Sequence, residues 1–328
     1  MNKNVISLFS GAGGLDIGLE KAGLTIKVCQ EWNRQAVETL VANGRNVVPG
    51  SIEELIKLDP SCSFLLEYRP FALVGGPPCQ SFSSTGKGLG LKDKRGRLFR
   101  SFVKAVLARQ PRFFVMENVA KLAGKKHKPV LLKILRSLRA IGYSVDYCIF
   151  NAADFGAPQN RKRIIIIGSR DHEPIIFPIP THKGNHRTFG DAVQGMKDNG
   201  EGTQFSEKTL RLIKLVPEGG WWKHLPLSLQ KEATGNAKGK GFTGIMRRVS
   251  FSKPLPTLMA GGPKQRLTLL AHPTEDRPLT VMEYSRGQGF PDEWKFQGKT
   301  ADKYKQIGNA VPIALGQAIG EALLLMGK

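Results

Sequence analysis

Cys79 stands inside Gly75-Gly76-Pro77-Pro78-Cys79-Gln80-Ser81-Phe82-Ser83. Two glycines and two prolines fix the backbone ahead of one thiol. That is a stiff and costly way to place a small hydrophobe, and it suits a nucleophile. A free thiol has a pKa of roughly 8.5, so such a nucleophile needs help from its surroundings. Cys29 and Cys148 lie in apolar runs and read as structural, and Cys62 carries no motif. A second group, Phe9-Ser10-Gly11-Ala12-Gly13-Gly14, has glycines that let a nucleotide approach the backbone. The spacing is not GxGxxG, and no P-loop Lys-Ser/Thr follows, so ATP is not indicated. Glu31-Trp32 offers a carboxylate for two ribose hydroxyls and an indole for adenine. The pair suits an adenosine cofactor, and S-adenosylmethionine fits as well as NAD. Glu117 follows the apolar run Phe113–Met116. Arg161 and Arg163 alternate in Gln159-Asn160-Arg161-Lys162-Arg163, which predicts that they share one face of an extended segment.

These residues need strand ends to hold them. Val5–Phe9, Ile26–Cys29, Phe71–Val74, Phe113–Met116 and Ile164–Ile167 read as strands, the last buried on both faces. Helical patterns over Phe99–Arg109 and Val130–Ile141 separate some of them. Alternation of this kind predicts an α/β fold with a mostly parallel, doubly wound sheet, whose ligands bind beyond the carboxyl ends of the strands. Gly11, Glu31, Cys79 and Glu117 all fall at such ends. After about residue 178 prolines and glycines interrupt the chain. Residues 180–270 hold 15 Lys/Arg against 6 Asp/Glu, and read as a second, loop-rich, basic domain. The expected division is 1–179, a catalytic and cofactor-binding domain; 180–275; and 276–328, a hinge and an apolar C-terminal helix returning to the first domain.

Composition narrows the partners. The 328 residues carry 49 Lys+Arg against 27 Asp+Glu, a formal net charge of +22, which points to a polyanion, nucleic acid before membrane. No apolar run approaches the roughly 18 residues of a membrane span, and the start lacks a secretory pattern. Four cysteines without CxxC or CxH spacing argue against a metal site and a disulfide framework, and for a reducing, cytoplasmic setting.

Read in order, FSGAGG, EW, GGPPCQSFS, ENV, QNRKR, RPLT…GFPD and QIGNAVP resemble the DNA (cytosine-5)-methyltransferase family, from about Val5 to Val311. The resemblance implies a Rossmann-like, S-adenosylmethionine-dependent sheet with a smaller target recognition domain at 180–275. It implies Cys79 as the nucleophile adding to C6 of a flipped-out cytosine, Glu117 at N3 and the exocyclic amine, Arg163 on the O2 side and Arg161 in support. Phe9, Gly11, Ala12, Gly14, Glu31, Trp32, Ile52, Pro78, Leu98 and Asn309 would line the site of S-adenosyl-L-methionine, which leaves as S-adenosyl-L-homocysteine. One position departs from the family: Ser51 stands where an acidic residue usually binds the adenine amine, which predicts weaker cofactor affinity.

The implied partner is double-stranded DNA. Gln80–Leu98, with Ser83, Thr85, Lys87, Arg95 and Arg97, would form a lid beside the flipped base. Thr257 resembles a short Thr-Leu element of the recognition domain. Arg247, Arg248 and Arg266 are candidates for guanine or for phosphate. The expected enzyme is a prokaryotic monomer without metal or membrane, solitary or paired with a restriction endonuclease but not in stable complex with it. A silent DNA-binding regulator on the same fold would be expected to lose Cys79, Glu117 or Asn309, and all are present. A nicotinamide oxidoreductase is disfavoured by the glycine spacing and Pro-Pro-Cys. The family's tRNA-acting relatives typically show a different dipeptide after that cysteine.

Overall fold

The computed structural model describes residues 2–78, 96–234, 246–264 and 269–328, with the backbone alone at 96 and 97. The chain divides into two compact units. Unit 1 comprises Met1–Asn151, Lys162–Ile179 and Ile313–Lys328; unit 2 comprises Ala152–Arg161 and Pro180–Pro312.

Unit 1 is built on a seven-stranded sheet of β1 (Asn4–Leu8), β2 (Thr25–Glu31), β3 (Val47–Pro49), β4 (Ala72–Gly75), β5 (Phe113–Val119), β6 (Ser144–Asn151) and β7 (Lys162–Ser169). Their spatial order is β3-β2-β1-β4-β5-β7-β6. Pairings among β1 to β5 are parallel, and β7 runs antiparallel to both β5 and β6. Chain order reverses between β1 and β4, so a crevice opens at their carboxyl ends, where α/β sheets bind ligands. The helices of this unit are α1 (Gly14–Lys21), α2 (Arg34–Ala42), α3 (Ile52–Leu58), α4 (Gly96–Arg109), α5 (Lys128–Ala140) and, much later in the chain, α11 (Ile313–Met326).

The expected strands and helices are present. The antiparallel β7 and the strands β3 and β6 were not expected. β3 has three residues, too few to show a period, and β6 is a half-exposed edge whose alternation is broken. An antiparallel neighbour needs no crossover helix, which lets β6 and β7 pair directly. Ile164–Ile167 are fully buried, as a strand covered on both faces requires. Helix α5 buries Leu131, Ile134, Leu135 and Leu138, the i, i+3, i+4, i+7 stripe of an amphipathic helix, in a core with Phe102 and Phe114.

Helices α1 and α11 approach at backbone distance. A Cβ on Gly18 would lie 2.5 Å from the Ile313 carbonyl oxygen, and one on Gly316 would lie 3.0 Å from that of Leu15. The apolar stretch Thr300–Met326 has the length and composition of a membrane span. It is two helices interrupted at Ala310-Val311-Pro312, and α11 has 14 residues, short of the roughly 20 that a span needs.

Unit 2 contains α6 (Phe189–Val193), α7 (Glu207–Ile213), α8 (Leu227–Thr234), α9 (Val281–Gln288) and α10 (Thr300–Asn309). A two-stranded parallel ribbon joins β8 (Arg247–Arg248) to β9 (Leu270–Ala271). Among the described residues its core is two small apolar clusters, one around Phe189, Leu258, Tyr284 and Tyr304, the other around Leu212, Ile213 and Leu225. Thr280 and Glu283 form a capping box at the start of α9, and Arg277 grips the Glu283 carboxylate with two nitrogens at 2.8 and 2.9 Å.

Candidate active site

The turn after β1 is held open by conformations that suit glycine. Gly11 and Gly13 have φ of 56° and 85°, and a Cβ on Gly11 would meet nothing within 4 Å. Phe9, partly buried, also adopts a positive φ. Ala12 is buried and Gly14 opens α1. Across the switch point the Glu31 carboxylate is buried at the end of β2. Its Oε2 accepts from the Gly11 amide at 2.8 Å, and Oε1 accepts from the amides of Trp32 and Asn33 at 2.9 and 2.8 Å. Burial pushes the Glu31 carboxyl above its ordinary value, against the pull of these three amides. Trp32, by contrast, is 63% exposed, with its indole free to take a planar partner.

Gln30 ties the same turn to the next: its amide donates to the Gly50 carbonyl at 2.7 Å. Ser51 begins α3 at the N-cap position, yet its hydroxyl makes no capping bond. Ile52 is buried in the core, and Leu98, at the start of α4, packs against it. Open space over Gly11, a buried carboxylate and an exposed indole side by side form a cradle that fits an adenosine with ribose hydroxyls. Asn309 belongs to unit 2, where it is the exposed last residue of α10.

The turn after β4 depends on glycine for a different reason. A Cβ on Gly75 would lie 2.6 Å from the Leu8 carbonyl oxygen, and one on Gly76 would lie 3.0 Å from Glu117 Oε2. Pro77 is buried and Pro78 partly so. Asn118 Nδ2 donates to the Pro77 carbonyl at 3.0 Å. Glu117 lies within β5 rather than beyond it, opposite Ile165, and Val119 is opposite Arg163. Glu117 and Arg163 are therefore diagonal neighbours on one face of the sheet. Arg163 Nε lies 2.7 Å from Glu117 Oε1, with both side chains nearly buried. Carboxylate and guanidinium thus stand together beside the Gly76-Pro77 segment.

Cys79 lies outside the described residues, as do Ser83, Thr85, Lys87, Arg95 and Arg266, and the side chain of Arg97.

Several expectations need correction. Arg161 stands just ahead of β7, which begins at Lys162. Its guanidinium is buried in unit 2 and donates to the carbonyls of Leu258 and Gly308 at 2.8 and 2.7 Å. Arg248 does not offer itself to DNA. It is 5% exposed and donates to the carbonyls of Ile213, Val216, His272 and Glu275, and to the Asp276 carboxylate. It organises unit 2 from inside. The Thr257 hydroxyl donates to the Asn160 carbonyl at 2.7 Å. Arg247 is half-buried, and burial lowers its pKa from the ordinary value.

Two buried polar groups beside these turns were not singled out by sequence. Asn118 sat in a noted motif without a role. Asp16 is a fully buried acid on the apolar side of α1, and a lone carboxylate between Leu15 and Ile17 was its only signal.

The comparisons agree with this architecture. Residues 3–325 match the family C-5 cytosine-specific DNA methylase. The Type II methyltransferase M.PspPI of Psychrobacter sp. (strain TA137) is 37% identical over 98% of this chain and 79% of its own. M.Eco47II of Escherichia coli is 36% identical over 98% and 78%, respectively. Among solved structures, a prophage-encoded DNA modification methyltransferase (E. coli) superposes with a TM-score of 0.72 at 24% identity, over 98% of this chain and 99% of that one. The Entamoeba histolytica methyltransferase EhMeth has a TM-score of 0.69 at 17% identity, over 100% and 99%. Both of these share the fold. The chain belongs to the C-5 cytosine-specific DNA methylase family, and is a DNA (cytosine-5-)-methyltransferase.

Proposed function

We propose that the enzyme methylates C5 of a flipped-out cytosine in a specific duplex DNA sequence through a covalent Cys79–C6 adduct. The observation that carries this reading is the Glu117–Arg163 pair, 2.7 Å apart, beside Gly76 and Pro77, just ahead of Cys79 in the chain. Cytosine C5 is a weak nucleophile. Addition of the Cys79 thiolate to C6 breaks the C5–C6 double bond and makes C5 enamine-like. Glu117 would share its proton with N3 to promote the addition and take it back when Cys79 leaves, while Arg163 would hold the O2 side. S-adenosyl-L-methionine held in this site would supply the methyl group that C5 takes from its sulfur, with S-adenosyl-L-homocysteine as the other product. A base then takes the C5 proton, the double bond re-forms and Cys79 is expelled as thiolate. Glu31 would hold the ribose, Trp32 the adenine, and the Phe9–Gly14 turn the rest of the cofactor.

Residues 180–275, within unit 2, are the proposed target recognition domain, and Gln80–Leu98 the lid over the base. The named relatives are Type II methyltransferases, which supports a role as the modification partner of a restriction endonuclease. Duplex DNA with 5-fluorocytosine at the target, incubated with S-adenosyl-L-methionine, should trap a denaturant-stable protein–DNA adduct. Cys79→Ala should abolish it. Glu117→Gln should lower kcat by roughly 100-fold or more, the scale of a lost proton donor. Tritium transfer to cytosine without any trapped adduct would overturn the covalent route.

A further inference from the structure

Asp16 is an expensive residue. Its side chain is fully buried in the first turn of α1, the helix that continues the cofactor turn. Burial pushes its carboxyl up to about 6 from an ordinary 3.8. The groups facing it are few. The Ser7 hydroxyl of β1 donates to Oδ1 at 2.6 Å, and the Cys29 thiol of β2 lies 3.5 Å from Oδ2. The Arg45–Glu20 ion pair supplies the nearby charges. A buried acid at this cost, in a role that packing alone would not need, calls for an explanation.

The hydrogen bonds continue outward. Ser10 Oγ donates towards Ser7 Oγ at 2.8 Å and towards the Ser7 carbonyl at 3.1 Å. Ser10 immediately precedes Gly11, whose amide is held from the opposite side by Glu31. The turn is thus gripped at two adjacent residues by two buried carboxylates, one directly and one through two hydroxyls. We infer that Asp16 is a positioning residue for the cofactor turn, acting through Ser7 and Ser10 to hold Gly11 where S-adenosyl-L-methionine meets the backbone. This rests on the proposed cofactor. Every member of the chain is nearly or fully buried except Ser10, so the order it imposes is delivered at the turn and nowhere else.

The test is direct binding of tritiated S-adenosyl-L-methionine by equilibrium dialysis, with thermal melting as the check on folding. Asp16→Ala and Ser10→Ala should each raise Kd at least fivefold. The double variant should be no weaker than the weaker single, because both act through one chain. Asp16→Asn, which keeps an acceptor for Ser7, should recover most of the loss. Affinity for DNA without cofactor should move far less. Ser10→Ala removes only the outer end of the chain and keeps the test decisive if Asp16→Ala does not fold. A folded Ser10→Ala with wild-type Kd overturns the inference, as does Asp16→Asn as weak as Asp16→Ala. A wild-type protein that binds no S-adenosyl-L-methionine fails the proposed function itself, and the relay falls with it.

Discussion

Asn118 Nδ2 reaches across from β5 to the Pro77 carbonyl at 3.0 Å, while its own Oδ1 accepts from the Val119 amide at 2.9 Å. One side chain therefore fixes both the end of the strand bearing Glu117 and the loop that leads to Cys79. Asn118→Ala leaves a buried carbonyl and an amide without partners, a loss of about 1–3 kcal/mol. The expected result is a lower Tm, together with a kcat reduced tenfold or more and little change in cofactor Kd. Single-turnover methylation and dialysis on the same variant separate these effects. An unchanged kcat would show that the loop holds its position without this clamp.

Arg248 and the lysines around the start of α5 should respond to mutation in opposite ways. Arg248→Ala removes the donor to four carbonyls and a carboxylate, so unit 2 should lose about 3 kcal/mol or more. Lys125, Lys126 and Lys128 are exposed, and no acidic residue occurs from 119 to 145. His127 among them titrates below its ordinary value, through burial first and then the fields of Lys126 and Lys121. Lys125→Ala and Lys126→Ala should leave Tm unchanged and flatten the salt dependence of DNA affinity. The log–log slope should shrink by roughly 0.9 for each phosphate that is no longer neutralised. A destabilised lysine variant, or an Arg248→Ala variant of normal stability, would reverse the assignment.

The raised carboxyl of Asp16 makes a pH prediction with a definite sign. At pH below about 4 the group is protonated folded and unfolded, and contributes no difference. As pH rises towards 6 the unfolded chain releases this proton while the folded one keeps it, so stability falls. Above about 6 the penalty is complete, at about 3 kcal/mol for the roughly two-unit displacement. Asp16→Asn removes it and keeps the acceptor. The variant should melt higher than wild type at pH 7, and the gap should close by pH 4. A gap that is constant with pH would mean that burial does not raise the Asp16 carboxyl above its ordinary value.

Ser51 should limit cofactor affinity. Its hydroxyl caps nothing at the start of α3, so the position can accept a longer acid without breaking a bond. Ser51→Asp restores the charge usual in the family and also favours the helix N-terminus. The Kd for S-adenosyl-L-methionine should fall severalfold. Unchanged or weaker binding would show that the serine is already sufficient.

Legibility in the sequence followed local physics. Strand ends such as Gly11, Glu31 and Gly76 were visible because apolar runs stop there and unusual residues begin. The pairing of Glu117 with Arg163 was not, since it depends on β7 entering antiparallel, a matter of tertiary direction that no local period records. Arg248 misled for a related reason. In sequence a basic residue looks available, and only the folded chain reveals the carbonyls that consume its donors. Asp16 hid in the opposite way, as a charge within an apolar helix whose partner hydroxyls lie on the preceding strand and turn.

The glycine contact between α1 and α11 has a consequence for how the enzyme comes into being. Helix α1 carries the cofactor turn and Asp16, yet its packing partner is made almost three hundred residues later, after all of unit 2. A chain still on the ribosome has strands enough for most of the sheet but lacks the helix that packs against α1 at backbone distance. Contacts of such sequence separation form late. Cofactor capture should therefore be withheld until α11 has been made, so that chains without it stay chemically silent on the DNA around them. Stalled nascent chains ending before Ile313 should fail to retain S-adenosyl-L-methionine, whereas released full-length chains should retain it.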